Sequence, residues 1–192
     1  MQKIALFASG NGTNAQRITE YFKDSTEISV DIILSNNPKA YVLQRAASLQ
    51  VPTRVFDRRE FYDTRSILKL LKEREISFIV LAGFLWLVPD YLLKAYSHRI
   101  INIHPALLPK YGGKGMYGIK VHEAVIQSGD KESGITIHYV NDKYDAGEII
   151  FQAKCSVLPG DSPEMLAQKI HFLEYEHFPV IIRKVIMEQT SA

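Results

Sequence analysis

One cysteine, one tryptophan and four methionines are all the sulfur and indole that these 192 residues carry. A lone Cys155 excludes an internal disulfide and any zinc site built from several thiolates. Its place in the run Gln152-Ala153-Lys154-Cys155-Ser156-Val157 reads as a packed strand thiol. Excess charge is also scarce: 23 basic residues face 21 acidic ones, a net of +2. That is too little for the broad basic face of a non-specific nucleic-acid binder, though a few local donors can still hold a small anion. No apolar run approaches the ~20 residues of a membrane span. The first strand opens at Lys3, without the charged and then apolar segments of a signal peptide. The expectation is a soluble, cytoplasmic chain with no membrane and no nucleic-acid partner. What is present is ordinary for a globular domain: 46% hydrophobic and 23% charged residues. A chain of this length buries roughly 70% of its unfolded surface, enough for a self-sufficient core.

The first half alternates short apolar runs with amphipathic ones. Strands are expected at 4–8, 30–34, 51–56, 78–82 and 100–103, and helices at 14–22, 41–49, 61–73 and 89–96. The run Phe78-Ile79-Val80-Leu81-Ala82 is apolar throughout, as a strand covered on both faces must be. This order predicts an α/β fold with a doubly wound, mostly parallel sheet. The second half changes character. A loop over 109–118 holds four glycines. A helix over 121–127, strands over 135–140 and 149–157 and a closing helix from Ser162 follow. The two strands read as antiparallel additions. The whole chain, 1–192, is expected to form one domain, without a linker or repeat. In such sheets ligands bind beyond the carboxyl ends of the strands, which directs attention to 9–14, 83–88 and 102–109.

Three motifs lie where chemistry is expected. Ser9-Gly10-Asn11-Gly12-Thr13-Asn14 is a strand-to-helix turn. Its glycines let the backbone approach a ligand, and the helix N-terminus favours an anion. With Ala15 it fits the loose dinucleotide pattern, but strand 30–34 ends in Ser35-Asn36-Asn37, with no carboxylate for a ribose. A phosphate site remains, against the alternative of a plain tight turn. In Asn102-Ile103-His104-Pro105, strand alternation points the amide and the imidazole to one side. Such a pair can stabilise an oxyanion, or His104 can be a satisfied core histidine. Asn141-Asp142-Lys143-Tyr144-Asp145-Ala146-Gly147 joins two strands and holds two acids. Either could raise the pKa of a nearby histidine, or both could be solvated; spacing does not choose. His98, His122, His171 and His177 fall on helices or helix ends without a metal-ligand frame, so no metal is expected. His138 has no clear assignment.

Taken in order, these motifs resemble the phosphoribosylglycinamide formyltransferase family. The resemblance covers nearly the whole chain. It includes Phe56-Asp57-Arg58-Arg59-Glu60, Leu81-Ala82-Gly83-Phe84-Leu85, Leu107-Leu108-Pro109, the stretch 134–147 and Glu174. It implies a Rossmann-like formyltransferase fold, with 1–100 as the phosphate-binding half and 101–192 as the catalytic and folate-binding half. It implies 10-formyltetrahydrofolate as co-substrate and phosphoribosylglycinamide as acceptor. Gly10, Asn11, Gly12, Thr13 and Asn14 would hold the ribose phosphate. Asn102, His104 and Asp145 would be catalytic, with Asp145 keeping His104 protonated; it is the resemblance that selects Asp145 over Asp142. Lys110 and Glu174 would touch the ribonucleotide. Arg59, Leu85, Trp86, Leu87, Val88, Asn102, Val140 and Asn141 would line the folate pocket. Small-molecule partners and a monomer or homodimer are expected.

The chain departs from the family in three places. Tyr111 to Gly118 is longer and richer in glycine than the family's commonest form, Trp86 stands where the pocket wall often has another residue, and Ile135 replaces a small polar one. Relatives with the same core suggest other readings. Methionyl-tRNA formyltransferase carries a further C-terminal domain, yet only enough chain for one helix follows Pro159 here. Formyltetrahydrofolate deformylase carries an N-terminal regulatory domain. A non-catalytic nucleotide-binding module would leave Asn102 and His104 without a purpose.

Overall fold

The computed structural model describes residues 1–190. Its centre is one seven-stranded sheet in the order β3-β2-β1-β4-β5-β6-β7. The strands are β1 (Gln2–Phe7), β2 (Ile28–Ser35), β3 (Thr53–Val55), β4 (Ile76–Leu81), β5 (Ile100–His104), β6 (Glu132–Tyr139) and β7 (Ile149–Ser156). The first five run parallel, and β6 and β7 are antiparallel additions. The expected α/β architecture is therefore observed.

Alternation along the parallel strands builds a core on each face. Ile4, Leu6, Ile33, Phe78 and Val80 face one way. There they meet α1 (Thr13–Tyr21), α2 (Val42–Ser48), α6 (Ile119–Ser128) and α7 (Pro163–Thr190). Ala5, Phe7, Ile32, Leu34, Ile79 and Leu81 face the other way. They pack under α3 (Arg58–Tyr62), α4 (Ser66–Glu73) and α5 (Asp90–Ala95). Each fully buried Ile, Leu or Phe contributes about 1.5–3 kcal/mol. An aromatic cluster of Phe7, Phe56, Phe61 and Phe84, with Trp86 at its edge, fills the second layer beneath the strand ends.

Two helices differ from expectation. The helix expected over 61–73 is two. Asp57 and Glu60 form a reciprocal capping box that starts α3 at Arg58. Left-handed Arg65, with φ 56°, then breaks the chain before α4. The closing helix runs 28 residues and continues through Pro179. Cys155 is half-buried in β7, where burial pushes its thiol up, as befits a packed strand thiol. Among the described residues, no helix is long and apolar enough to cross a membrane.

The order of strands decides where a ligand fits. From β1 the chain moves outward through β2 and β3, then returns to add β4 and β5 on the other side. The loops after β1 and β4 therefore leave in opposite directions and open a crevice between them.

Candidate active site

A cavity of about 550 Å³ fills that crevice. Its walls are Gly10 to Asn14 after β1, Ala82 to Leu85 after β4, Asn102 to Pro105 at the end of β5 and the glycine-rich 113–118 loop. His122, Tyr144, Asp145, His171 and Glu174 complete it. A smaller cavity of about 50 Å³ adjoins it, lined by Trp86, Leu87, Val88, His138, Val140 and Lys143 among others. Phe84, Asn102, Tyr144 and Asp145 line both, so the two spaces meet at the Asn102 amide and the Asp145 carboxylate.

The turn after β1 is held open from outside. Gly12 caps α1 at φ 76°, and a Cβ there would lie 2.3 Å from Val42 Cγ2, so only glycine fits against α2. Arg45 donates to the Asn11 carbonyl at 2.8 Å and to Asn11 Oδ1 at 2.9 Å, while stacking on Tyr41. The guanidinium thus shapes the turn from behind. The Ser9 hydroxyl accepts from Leu85 N–H at 3.0 Å, and Ser9 N–H donates to the Gly83 carbonyl at 3.0 Å, tying the turn to the loop after β4.

Opposite lies a polar cluster. Glu174 is buried, and its Oε2 accepts from Asn14 Nδ2 at 3.0 Å and from His171 Nδ1 at 2.9 Å. That hydrogen bond raises the His171 pKa, favouring a cationic ring. His122 is buried in the same wall, its Nδ1 has no hydrogen-bond partner among the described residues, and burial lowers its pKa.

At the end of β5, Asn102 and His104 point to the same side, as alternation required. The segment after them is pinned by buried Thr136, whose hydroxyl donates to the Ala106 carbonyl at 2.7 Å and accepts from Leu108 N–H at 3.0 Å. His104 is 3% exposed. Its Nδ1 lies 3.4 Å from Asp145 Oδ2, and its Nε2 lies 2.8 Å from the Tyr111 carbonyl. Burial pulls the His104 pKa down; Asp145 and the Tyr111 carbonyl pull it up, and burial wins. The expected raising of His104 by Asp145 is thus present but outweighed. Burial pushes Asp145 up, yet the facing His138 and His104 rings and the Gly113 N–H, at 2.9 Å, hold it below the usual carboxylate range. Asp145 is therefore a carboxylate at neutral pH.

Known proteins carry the same architecture. Residues 2–182 match the family model described as formyl transferase. The phosphoribosylglycinamide formyltransferase of Bacillus subtilis is 35% identical, the match covering 97% of this chain and 95% of that protein. The chain belongs to the formyl transferase family, among the phosphoribosylglycinamide formyltransferases.

The chloroplastic member from Arabidopsis thaliana is 39% identical over 98% of this chain, which spans 66% of that relative's length. The phosphoribosylglycinamide formyltransferase structure from Streptococcus pneumoniae superposes with a TM-score of 0.85 at 36% identity, covering 97% of this chain and 99% of that one.

The expected site residues divide between the two cavities and the surface. Gly10 to Asn14, Leu85, Asn102, His104, Asp145 and Glu174 line the larger cavity. Trp86, Leu87, Val88 and Val140 line the smaller one, together with Asn102 and Asp145. Three others lie elsewhere. Arg59 is exposed on α3, outside the lining of either cavity. Lys110 is turned outward to Asp130, at 3.0 Å. Asn141 braces its own turn, donating to the Ala146 carbonyl at 3.0 Å and accepting from Lys143 N–H at 3.0 Å. Conversely, His122, His138 and His171 belong to the cavity walls, where the sequence offered no role. The spacing of His171 and Glu174, three apart on a helix, was the available signal for one of them.

Proposed function

We propose that this chain transfers the formyl group of 10-formyltetrahydrofolate to the amine of phosphoribosylglycinamide. The supporting observation is the junction of two cavities at Asn102 and Asp145. Two reactants approaching from the two sides would meet there. The amide-lined turn Gly10 to Asn14 offers an anion site at the far end of the larger space. The smaller space, walled by Trp86, Val88 and Val140, would have to widen from its ~50 Å³ to take the flat ring of a folate.

The chemistry is a direct transfer. The amine attacks the formyl carbon, a C–N bond forms, and the carbonyl oxygen becomes an oxyanion. An N–H of the Asn102 amide donates to it. His104 Nε2 faces the Tyr111 carbonyl in this structure, so a hydrogen bond from His104 to the oxyanion requires the 111–113 segment to withdraw first. Asp145, ionised at neutral pH, accepts the amine proton through a water. The proton then reaches N10 of the folate as its bond to the formyl carbon breaks. No covalent enzyme intermediate forms.

The single domain 1–192, its division into a phosphate half and a catalytic half, a cytoplasmic location and a monomeric or homodimeric state belong to the same proposal. The division is not sharp, since Glu174 reaches back to Asn14. The test is absorbance-monitored release of folate from a formylated analogue, with phosphoribosylglycinamide and then with water alone. Release only with the amine supports transfer. Release without it supports a hydrolase, and no release in either case supports a binding module.

A further inference from the structure

One buried group in the site has no part in the chemistry above. His138 is 2% exposed in β6, and the antiparallel register sets it directly opposite Asn102 of β5. Its two ring nitrogens have different neighbours. Nδ1 lies 2.8 Å from the Tyr139 carbonyl. Nε2 lies 3.1 Å from Asn102 Nδ2, and its next polar neighbour, Asp145 Oδ1, is 3.8 Å away, beyond hydrogen-bond distance.

These distances point to one tautomer. A backbone carbonyl can only accept, so Nδ1 carries the hydrogen. A neutral ring then has only a lone pair at Nε2. A proton on Nε2 as well would set an N–H against the Asn102 NH2 group, with the Asp145 Oδ1 acceptor 3.8 Å away. With the hydrogen on Nδ1, Nε2 accepts from Asn102. The Tyr139 carbonyl is itself immobilised. Its N–H donates to the Glu148 carbonyl at 2.9 Å, and Gly147 packs so closely that a Cβ there would fall 1.6 Å from the Tyr139 oxygen.

An asparagine amide has two ends of nearly equal shape and opposite hydrogen-bonding character. Which end meets a ligand is decided by what holds the other. We propose that His138 is a positioning residue for the formyl-transfer reaction. As the Nδ1–H tautomer it accepts from Asn102 and fixes the nitrogen end of that amide at the junction of the two cavities, so that the second N–H stays available to the formyl oxygen. With the opposite tautomer, Asn102 would have to turn its oxygen toward the ring, and its oxyanion donor would move. The effect runs from the Tyr139 carbonyl through the imidazole to Asn102, whose amide meets the formyl oxygen. This inference rests on the transfer activity proposed above.

The test has one arm that needs no activity. Nitrogen-15 spectra of histidine-labelled protein, with His138→Phe used for assignment, report the tautomer directly. Nδ1 protonated and Nε2 bare is expected, with the Nε2 signal shifting in Asn102→Leu. An Nε2–H tautomer, or an Nε2 signal indifferent to Asn102→Leu, overturns the proposal even if transfer is normal. The second arm is kinetic. His138→Phe should lower kcat by about 10- to 100-fold, within or below the roughly 10²–10³ that loss of an oxyanion donor costs outright. KM for phosphoribosylglycinamide should stay nearly constant. His138→Gln, whose amide oxygen can accept, should recover part of the loss. In an Asn102→Ala background, His138→Phe should cost little more; additive losses overturn the proposal. If the unmodified protein transfers no formyl group, the proposed function fails, and the spectra still judge the His138–Asn102 contact.

Discussion

Replacing Asp145 by asparagine isolates charge from shape. The asparagine oxygen can still accept from Gly113 N–H, which lies 2.9 Å from Asp145 Oδ2, so the loop contact survives. What disappears is a negative charge 3.4 Å from His104 Nδ1, in a site where the two side chains are 4% and 11% exposed. Asp145 also takes the amine proton in the proposed reaction, an acid-base contribution of typically 10²–10⁴-fold. Since ~1.4 kcal/mol is a factor of ten, an expected loss of 10²–10³ in kcat/KM corresponds to about 3–4 kcal/mol. KM for phosphoribosylglycinamide should move little. Far-UV circular dichroism should match the unmodified protein. Asp142→Asn, exposed in the same turn, is the control and should be fully active. The assay is initial-rate folate release at saturating and limiting amine. An Asp145→Asn enzyme within about tenfold of normal, or an equal loss in Asp142→Asn, would refute the role given to this carboxylate.

Three further outcomes follow from the same geometry. Gly12→Ala forces a left-handed alanine against Val42, whose Cγ2 and Cα lie 2.3 and 2.9 Å from the new Cβ. A drop of at least ~1–2 kcal/mol in urea stability is expected, and an unshifted midpoint would mean that α2 yields freely. Arg45→Met removes both hydrogen bonds to Asn11. KM for the phosphorylated substrate should rise about 5- to 30-fold, the equivalent of ~1–2 kcal/mol, with kcat unchanged; a constant KM would exclude the shaping of the turn from behind. His104 and His122 both have folded pKa values lowered by burial. Their stability contribution is complete above the ordinary value near 6.5 and is lost as pH falls through the lowered folded values. His171, raised by Glu174, acts in the opposite sense, losing its contribution as pH rises through its folded value. Two groups against one predict a urea midpoint that falls on acidification from pH 6.5 to 5, and less steeply in His122→Leu; a midpoint flat over that range would contradict it.

The parts of this molecule that depend on local pattern were readable from the chain. Parallel strands such as 78–81 are apolar throughout because both faces are covered, and Asn102 and His104 share a side because strands alternate. Pattern failed where distant segments meet. The pairing of Asn102 with His138 depends on the register between β5 and β6, and nothing in either segment alone encodes that register. The Tyr111 carbonyl on His104 is backbone chemistry, invisible in a residue's identity. The effect of Asp145 on His104 was correctly signed, but the opposing burial is a property of the assembled core. Between Phe61 and Glu73 a helical period continues across a break, because Phe61, Ile67 and Leu71 are buried in the same core on either side of Arg65.

The chain's one indole occupies a particular place. Trp86 lines the smaller cavity, edge-on to Phe56 and beneath the Arg58 guanidinium, 5.8 Å from its ring. All tryptophan emission from this protein therefore originates at that wall. A ligand entering there changes the polarity around the only indole fluorophore, whereas one confined to the Gly10 to Asn14 turn leaves it largely undisturbed. Without any label, the protein reports separately on the filling of one half of its own site.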